Sequence, residues 1–252
     1  MRNRPDNPIV KKLRRMAHLS DQDVDYLEAD LLRVRRVPAR YDLIREGDQP
    51  GPVFAIISGW ACRYKILPEG TRQIMAFLMP GDCCDVDAAQ LAEMDHGIQT
   101  LSPVTFAAIP RDSILELMRR PGLRDAFRNA QLIDEATMRS WMVSMGRRSG
   151  VARVAHLICE LYLRAADAGL AVHGGLDLPI SQIVLADALG VTPVHINRVL
   201  RQFRLTGVMT FRTGILTIRN AAALATIAGF DENYLHRRRC QVAVEAPLLM
   251  AS

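Results

Sequence analysis

Apolar positions along this chain change their period twice. From Glu46 to Ile109 they fall in short runs: Val53–Ile57, Ala61–Leu67, Gln73–Leu78, Gly97–Leu101 and Thr105–Ile109. Turn signals divide them at Glu46-Gly47-Asp48, Ser58-Gly59, Pro68-Glu69-Gly70 and Pro80-Gly81-Asp82, whose glycines are 12, 11 and 11 residues apart. Short β-rich runs at that spacing predict a sandwich or roll rather than a β/α sheet. A helical entry is expected before it, around Asn7–His18 and Ser20–Leu31.

After Pro110 the period becomes helical and stays so to about Ala168. Arg111–Arg119 forms one short helix, and Pro121-Gly122 interrupts it. The next helix runs from Leu123 to about Met145, with Leu123, Ala126, Ala130, Ile133 and Thr137 in 3-4-3-4 spacing and Trp141 continuing the face. Such a stripe resembles a coiled-coil seam for a second copy, and it equally suits a helix laid on its own β domain. About three heptads do not separate the two by periodicity.

Residues 178–219 change the rhythm again. Ile180, Ile183, Leu185, Ala186 and Leu189 predict a short helix that Ser181 helps to start, and Gly190 follows where a tight turn is needed. A second helix starts at Thr192-Pro193, a capping residue followed by proline at the first helical position. Ile196, Val199, Leu200 and Phe203 face inward, leaving Val194, His195, Asn197, Arg198, Arg201 and Gln202 outward. Arginine suits guanine edges and phosphates, and Asn or Gln suits adenine, so this helix is expected to read a major groove. Val208–Phe211 and Ile215–Ile218 form a wing around Gly214, with Arg212 and Thr213 at its tip.

Charge sharpens this reading locally rather than globally. The whole chain is only +5, but no acidic residue lies between Asp187 and Asp231, where Arg198, Arg201, Arg204, Arg212 and Arg219 all fall. That is the footprint of a phosphate-facing surface. No apolar run approaches the ~20 residues of a membrane span, and the basic N-terminus has no apolar core behind it. Five cysteines without regular spacing suit reduced thiols. A cytoplasmic protein without membrane association is expected. No nucleophile elbow, phosphate loop, zinc spacing or carboxylate pair appears, so neither catalysis nor a metal site is expected.

Taken in order, LIREGDQPGPVFAIISGWACRYKILPEGTRQIMAFLMPGD (43–82) and LADALGVTPVHINRVLRQFRLTGVM (185–209) resemble the Crp/Fnr family of bacterial transcription regulators. The resemblance covers roughly residues 20–220 and implies an α+β chain in four parts. These are a cyclic-nucleotide-binding-like β-roll of jelly-roll type (1–120), a dimerisation helix (121–146), a winged helix-turn-helix (147–220) and a C-terminal extension (221–252). It further implies a homodimer that seats one recognition helix in each half-site of double-stranded DNA, and RNA polymerase as a partner if the protein activates. The DNA-binding set would be Ser181, Thr192, Val194, His195, Asn197, Arg198, Arg201, Arg212 and Thr213. The dimerisation set would be Leu123, Ala126, Ala130, Ile133, Thr137 and Trp141.

The signal is not implied, and the effector is unknown. Cyclic-AMP-binding members carry a Gly-Glu pair and then an arginine after the Pro-Gly-Asp turn. Here residues 83–106 hold neither, and Asp82, Asp85, Asp87, Glu93 and Asp95 make the segment acidic. Oxygen-sensing members hold an iron–sulfur cluster on N-terminal cysteines, but the first cysteine here is Cys62. No cofactor is therefore expected. Cys83-Cys84 is open to two readings, a thiol redox sensor or small apolar filling beside a turn. Cys62 and Cys159 read as core, Cys240 as a tail thiol beside three arginines, and His96 as a loop residue. The recognition helix also departs from the family pattern, with Val194 where a cytosine-contacting glutamate is usual.

Overall fold

In a computed structural model describing residues 7–88, 91–172 and 175–237, the chain opens with helices α1 (Pro8–Met16) and α2 (Asp21–Asp30). Both start as their sequences dictate. The Asn7 side chain accepts from the Ile9 amide at 2.9 Å, and Ser20 with Asp23 closes a capping box.

Eight strands follow: β1 (Val34–Val37), β2 (Asp42–Ile44), β3 (Val53–Ser58), β4 (Ala61–Ile66), β5 (Arg72–Leu78), β6 (Cys83–Cys84), β7 (Gly97–Thr100) and β8 (Val104–Ile109). They form two four-stranded sheets, β1-β8-β3-β6 and β2-β7-β4-β5. The five expected runs are all present. The short strands β1, β2 and β6 were not foreseen; β1 (VRRV) is largely exposed and carries two adjacent arginines. Strand β3 pairs antiparallel with β8 in the register Ala55↔Ala107 and Ile56↔Phe106. Ala55, Ala107 and Ile109 face α1, α2 and the start of the long helix. Ile56, Val104 and Phe106 face the other sheet with Ile98 and Leu78. Burial on both faces is why these strands read as continuous apolar runs instead of alternating.

Helix α3 (Arg111–Met118) leads to α4 (Pro121–Arg147) and α5 (Gly150–Asp167). The continuous helical pattern hid the break between them, which Ser149 caps by accepting from the Ala152 amide. Beyond lie β9 (Ala171–Val172), β10 (Gly175–Asp177), α6 (Gln182–Leu189), α7 (Pro193–Leu205), β11 (Met209–Arg212), β12 (Ile215–Ile218) and α8 (Ala221–Ala228). The last four strands make one sheet, β11-β12-β10-β9. Helix α8 lies along α5 and buries Leu224 and Ala228, so residues just past 220 belong to this folded unit. Cys240 lies outside the described residues.

The chain divides into two compact units. One includes the N-terminal residues to Arg63 and residues 77–136; the other holds 64–76 and 137–234. Among the described residues no single helix is long and apolar enough to cross a membrane.

Candidate nucleic-acid interface

Local chemistry builds the two-helix corner. The Ser181 hydroxyl accepts from the Val184 amide at 3.3 Å, and Gly190 caps α6 in the left-handed region at φ 60°. That left-handed conformation favours glycine, and a Cβ there would also approach Met145 Cε to 2.8 Å, so the methionine would have to shift. The Thr192 hydroxyl accepts from the His195 amide at 3.2 Å, and Pro193 opens α7. Ser181 and Thr192 are thus both engaged as helix caps. The two helices meet at 108°, within the range of a helix-turn-helix.

Burial follows the reading of α7 and corrects that of α6. Ile196, Val199, Leu200 and Phe203 are buried. Ile183, expected on the apolar face of α6, is 60% exposed. Two residues correspond to about 200° of helical rotation, so Ile183 cannot share a face with Leu185.

The outward side of α7 carries Val194 (79% exposed), Asn197, Arg198, Arg201 and Gln202. Val194 to Arg201 spans ~10 Å of helix, about three base-pair steps. Asn197 donates to the Gln182 side chain at 3.2 Å and so links the starts of the two helices. His195 departs from the expected outward placement: it is half-buried, and its Nδ1 lies 3.0 Å from Arg198 Nη2. At the wing, Arg212 and Thr213 are exposed. The turn is the two-residue Thr213-Gly214, with φ 49° and 80°.

Arg153 had no signal in the sequence. From α5 it donates to the Leu189 carbonyl at 2.9 Å and to the Met145 and Arg148 carbonyls at 3.0 and 3.3 Å, gathering the C-terminal ends of α6 and α4. Only the tertiary fold brings these carbonyls together.

Three of the six candidate dimerisation residues are occupied within the chain. Leu123 and Ala126 are fully buried in the helix-covered core of the roll. Trp141 is buried and donates to Glu160 at 2.9 Å. Ala130, Ile133 and Thr137 are half-buried. The large apolar side chains that α4 exposes are Leu132, Met138, Met142 and Val143.

In the roll, Arg63 of β4 lies largely enclosed, with Nε 3.1 Å from Asp85 and Nη1 3.7 Å from Asp134. Burial opposes its charge, and the two carboxylates outweigh that and raise its pKa. His96 is more than a loop residue, because its Nε2 lies 3.2 Å from Asp85 and its Nδ1 2.7 Å from Asp95. The Asp85 bond is the main reason its pKa is raised. The acidic segment is therefore substantially paired, and Asp82 also meets Lys12.

Cys83 and Cys84 point to opposite faces of β6, Cys83 toward the helix-covered core and Cys84 into the inter-sheet core. Burial pushes the Cys83 thiol up to about 12 and the Cys84 thiol well above its ordinary value. Neither is poised as a thiolate. Cys62 and Cys159 are buried.

Known proteins bear on this arrangement in the same order. The family described as cyclic nucleotide-binding domain matches residues 34–121, and that described as Crp-like helix-turn-helix domain matches residues 152–227. The fumarate and nitrate reduction regulatory protein of Escherichia coli K12 is 25% identical over 216 residues, covering 85% of this chain and 86% of that protein. The structure of FixK2 from Bradyrhizobium japonicum superposes with a TM-score of 0.69 at 22% identity, over 79% of this chain and 98% of that one. A CRP-family transcriptional regulator of Thermus thermophilus gives 0.63 at 17% identity, over 78% and 97%. With a cyclic-nucleotide-binding-type roll followed by a Crp-like helix-turn-helix, this chain belongs to the Crp/Fnr family of transcription regulators.

Proposed function

We propose that the chain works as a homodimer in the cytoplasm, placing α7 of each copy in one major-groove half-site of a pseudo-palindromic duplex. The observation that carries this reading is the exposed stripe Val194, Asn197, Arg198 and Arg201, held on a helix whose opposite face is fully packed. Arg198 is the guanine reader, Val194 packs on a thymine methyl, and Arg201 serves phosphates. Arg212 and Thr213 at the wing tip reach the flanking backbone. The second copy covers the exposed side chains of α4, namely Leu132, Met138, Met142 and Val143. RNA polymerase enters as a partner if the bound site activates a promoter.

The roll is not set to take a cyclic phosphate in the usual way. Arg63, a cation that faces the acidic segment, is already matched by Asp85 and Asp134, and Lys12 by Asp82. Its effector stays open in this reading, and the enclosed, opposed thiols of Cys83 and Cys84 do not favour a redox pair.

Selection of bound sequences from random duplex DNA with the purified protein tests the proposal. Enrichment of a two-fold symmetric site is expected, and Arg198→Ala should lower discrimination at one base pair per half-site by about 1–3 kcal/mol. Enrichment of an unsymmetric site, or equal selectivity in the Arg198→Ala protein, would rule it out.

A further inference from the structure

We propose that His195 sets the specificity of the recognition helix without touching DNA, by holding the guanidinium of Arg198. This rests on the reading of Arg198 as a base-contacting residue. His195 and Arg198 are three residues apart on α7 and therefore neighbours across one turn. Val194, four residues before Arg198, offers no acceptor. The Arg198 Nη2 lies 3.0 Å from His195 Nδ1. A guanidinium only donates, so Nδ1 is the acceptor and the neutral ring carries its proton on Nε2.

The other edge of the ring is held in place. Nε2 is enclosed and has no hydrogen-bond partner in the protein. It sits against Gly150, the first residue of α5, where a Cβ would collide with Nε2 and come within 2.8 Å of Cε1 and 3.3 Å of Cδ2. The bare backbone at Gly150 is thus the seat into which the imidazole fits. A ring that leaves one buried nitrogen unpaired while the other meets an exposed arginine is placed for that arginine. With one hydrogen of Nη2 committed to the ring, the guanidinium loses a large share of its rotamer freedom. Its remaining N–H groups are presented to the groove in one orientation, and paired contacts to a guanine edge require such an orientation.

The test measures the affinity of the full-length protein for its selected duplex against a duplex altered at the base pair that Arg198 reads. His195→Leu should lower that ratio about fivefold, part of what a bidentate contact provides, and leave affinity for unrelated DNA within about twofold. His195→Asn, whose side-chain oxygen takes the place of Nδ1, should retain most of the ratio. Gly150→Ala, which lies outside the recognition helix, displaces the ring and should lower the same ratio even if His195→Leu folds poorly. In an Arg198→Ala background, His195→Leu should have no further effect, because its action passes through Arg198. The inference is overturned if the ratio is unmoved by both His195→Leu and Gly150→Ala, or if His195→Leu acts fully without Arg198. If Arg198→Ala itself leaves the ratio intact, the reading of Arg198 fails first and takes this inference with it.

Discussion

The indole Nε1 of Trp141 donates to the carboxylate of Glu160 at 2.9 Å, tying the last turns of α4 to the middle of α5. The Tyr234 hydroxyl donates to the same oxygen at 2.9 Å, and Arg164 reaches the other oxygen at 3.4 Å. Glu160 is fully buried, and burial raises its pKa against these partners. The carboxylate is thus the common acceptor for three elements: α4, α5 and the short helix at Glu232–Leu235.

Glu160→Ala removes the buried acceptor that Trp141 and Tyr234 share and opens a cavity, which should destabilise the protein by about 3–5 kcal/mol. Trp141→Phe removes one donor and leaves the others, and about 1–2 kcal/mol is expected. Urea unfolding of both variants measures this. Losses below half a kcal/mol in each would show that the network contributes little.

His156 should contribute to the loss of stability at acid pH. It is buried between Phe230 and Tyr234, and burial, with Arg148 nearby, lowers its pKa from 6.5 to about 4. The unfolded chain takes up the proton first, so this contribution is intact above pH 6.5 and is lost as pH falls toward 4, by up to about 3 kcal/mol. Glu160 acts in the opposite sense, so the comparison is with His156→Phe, which keeps the ring packing. The stability of the wild type relative to this variant should fall across that window. Parallel profiles, or an imidazole that titrates near 6.5 by NMR, would contradict the assignment.

Met142 is 73% exposed on α4, beside Val143 at 55%. Met142→Glu should leave the single chain folded, because the side chain is largely exposed there, and it should turn the proposed dimer into a monomer. Sedimentation velocity separates the two masses. A variant that stays dimeric would move the interface off this face of α4.

Thr213 holds φ 49° in the wing turn, a poor conformation for a β-branched residue. Thr213→Asn supplies the Asn-Gly pair that such a turn prefers, and a gain of about 0.5–1 kcal/mol is expected. Thermal unfolding reports it, and a fall in stability would mean that the threonine makes a contact worth more than its strain.

The legible parts of this protein were those written in neighbouring residues. Ser181, Gly190, Thr192 and Pro193 announce the helix-turn-helix because caps and tight turns act over three or four positions. The glycine-punctuated runs announce the roll for the same reason. Short strands such as β1 and β6 escaped because two to four residues carry too little period to recognise. The burial of Trp141 and Leu123 within the chain was not legible, because a 3-4 spacing identifies an apolar stripe without saying which surface covers it. Of the recognition helix, the buried face was readable, whereas the inward turn of His195 was not, since its seat is Gly150 on another helix.

Local sequence by itself determined the five longer strands of the roll, the caps and turns of the two-helix corner and its wing, the basic stripe of α7 and, through its motifs, the family. The tertiary structure alone decided which side chains meet: Arg153 with the ends of α4 and α6, Arg63 with Asp85 and Asp134, Trp141 with Glu160, and His195 with both Gly150 and Arg198. Caps and periods arise from hydrogen bonds and rotations within a few residues. Pairings of buried polar groups depend on how distant helices pack, and no short-range pattern encodes that packing.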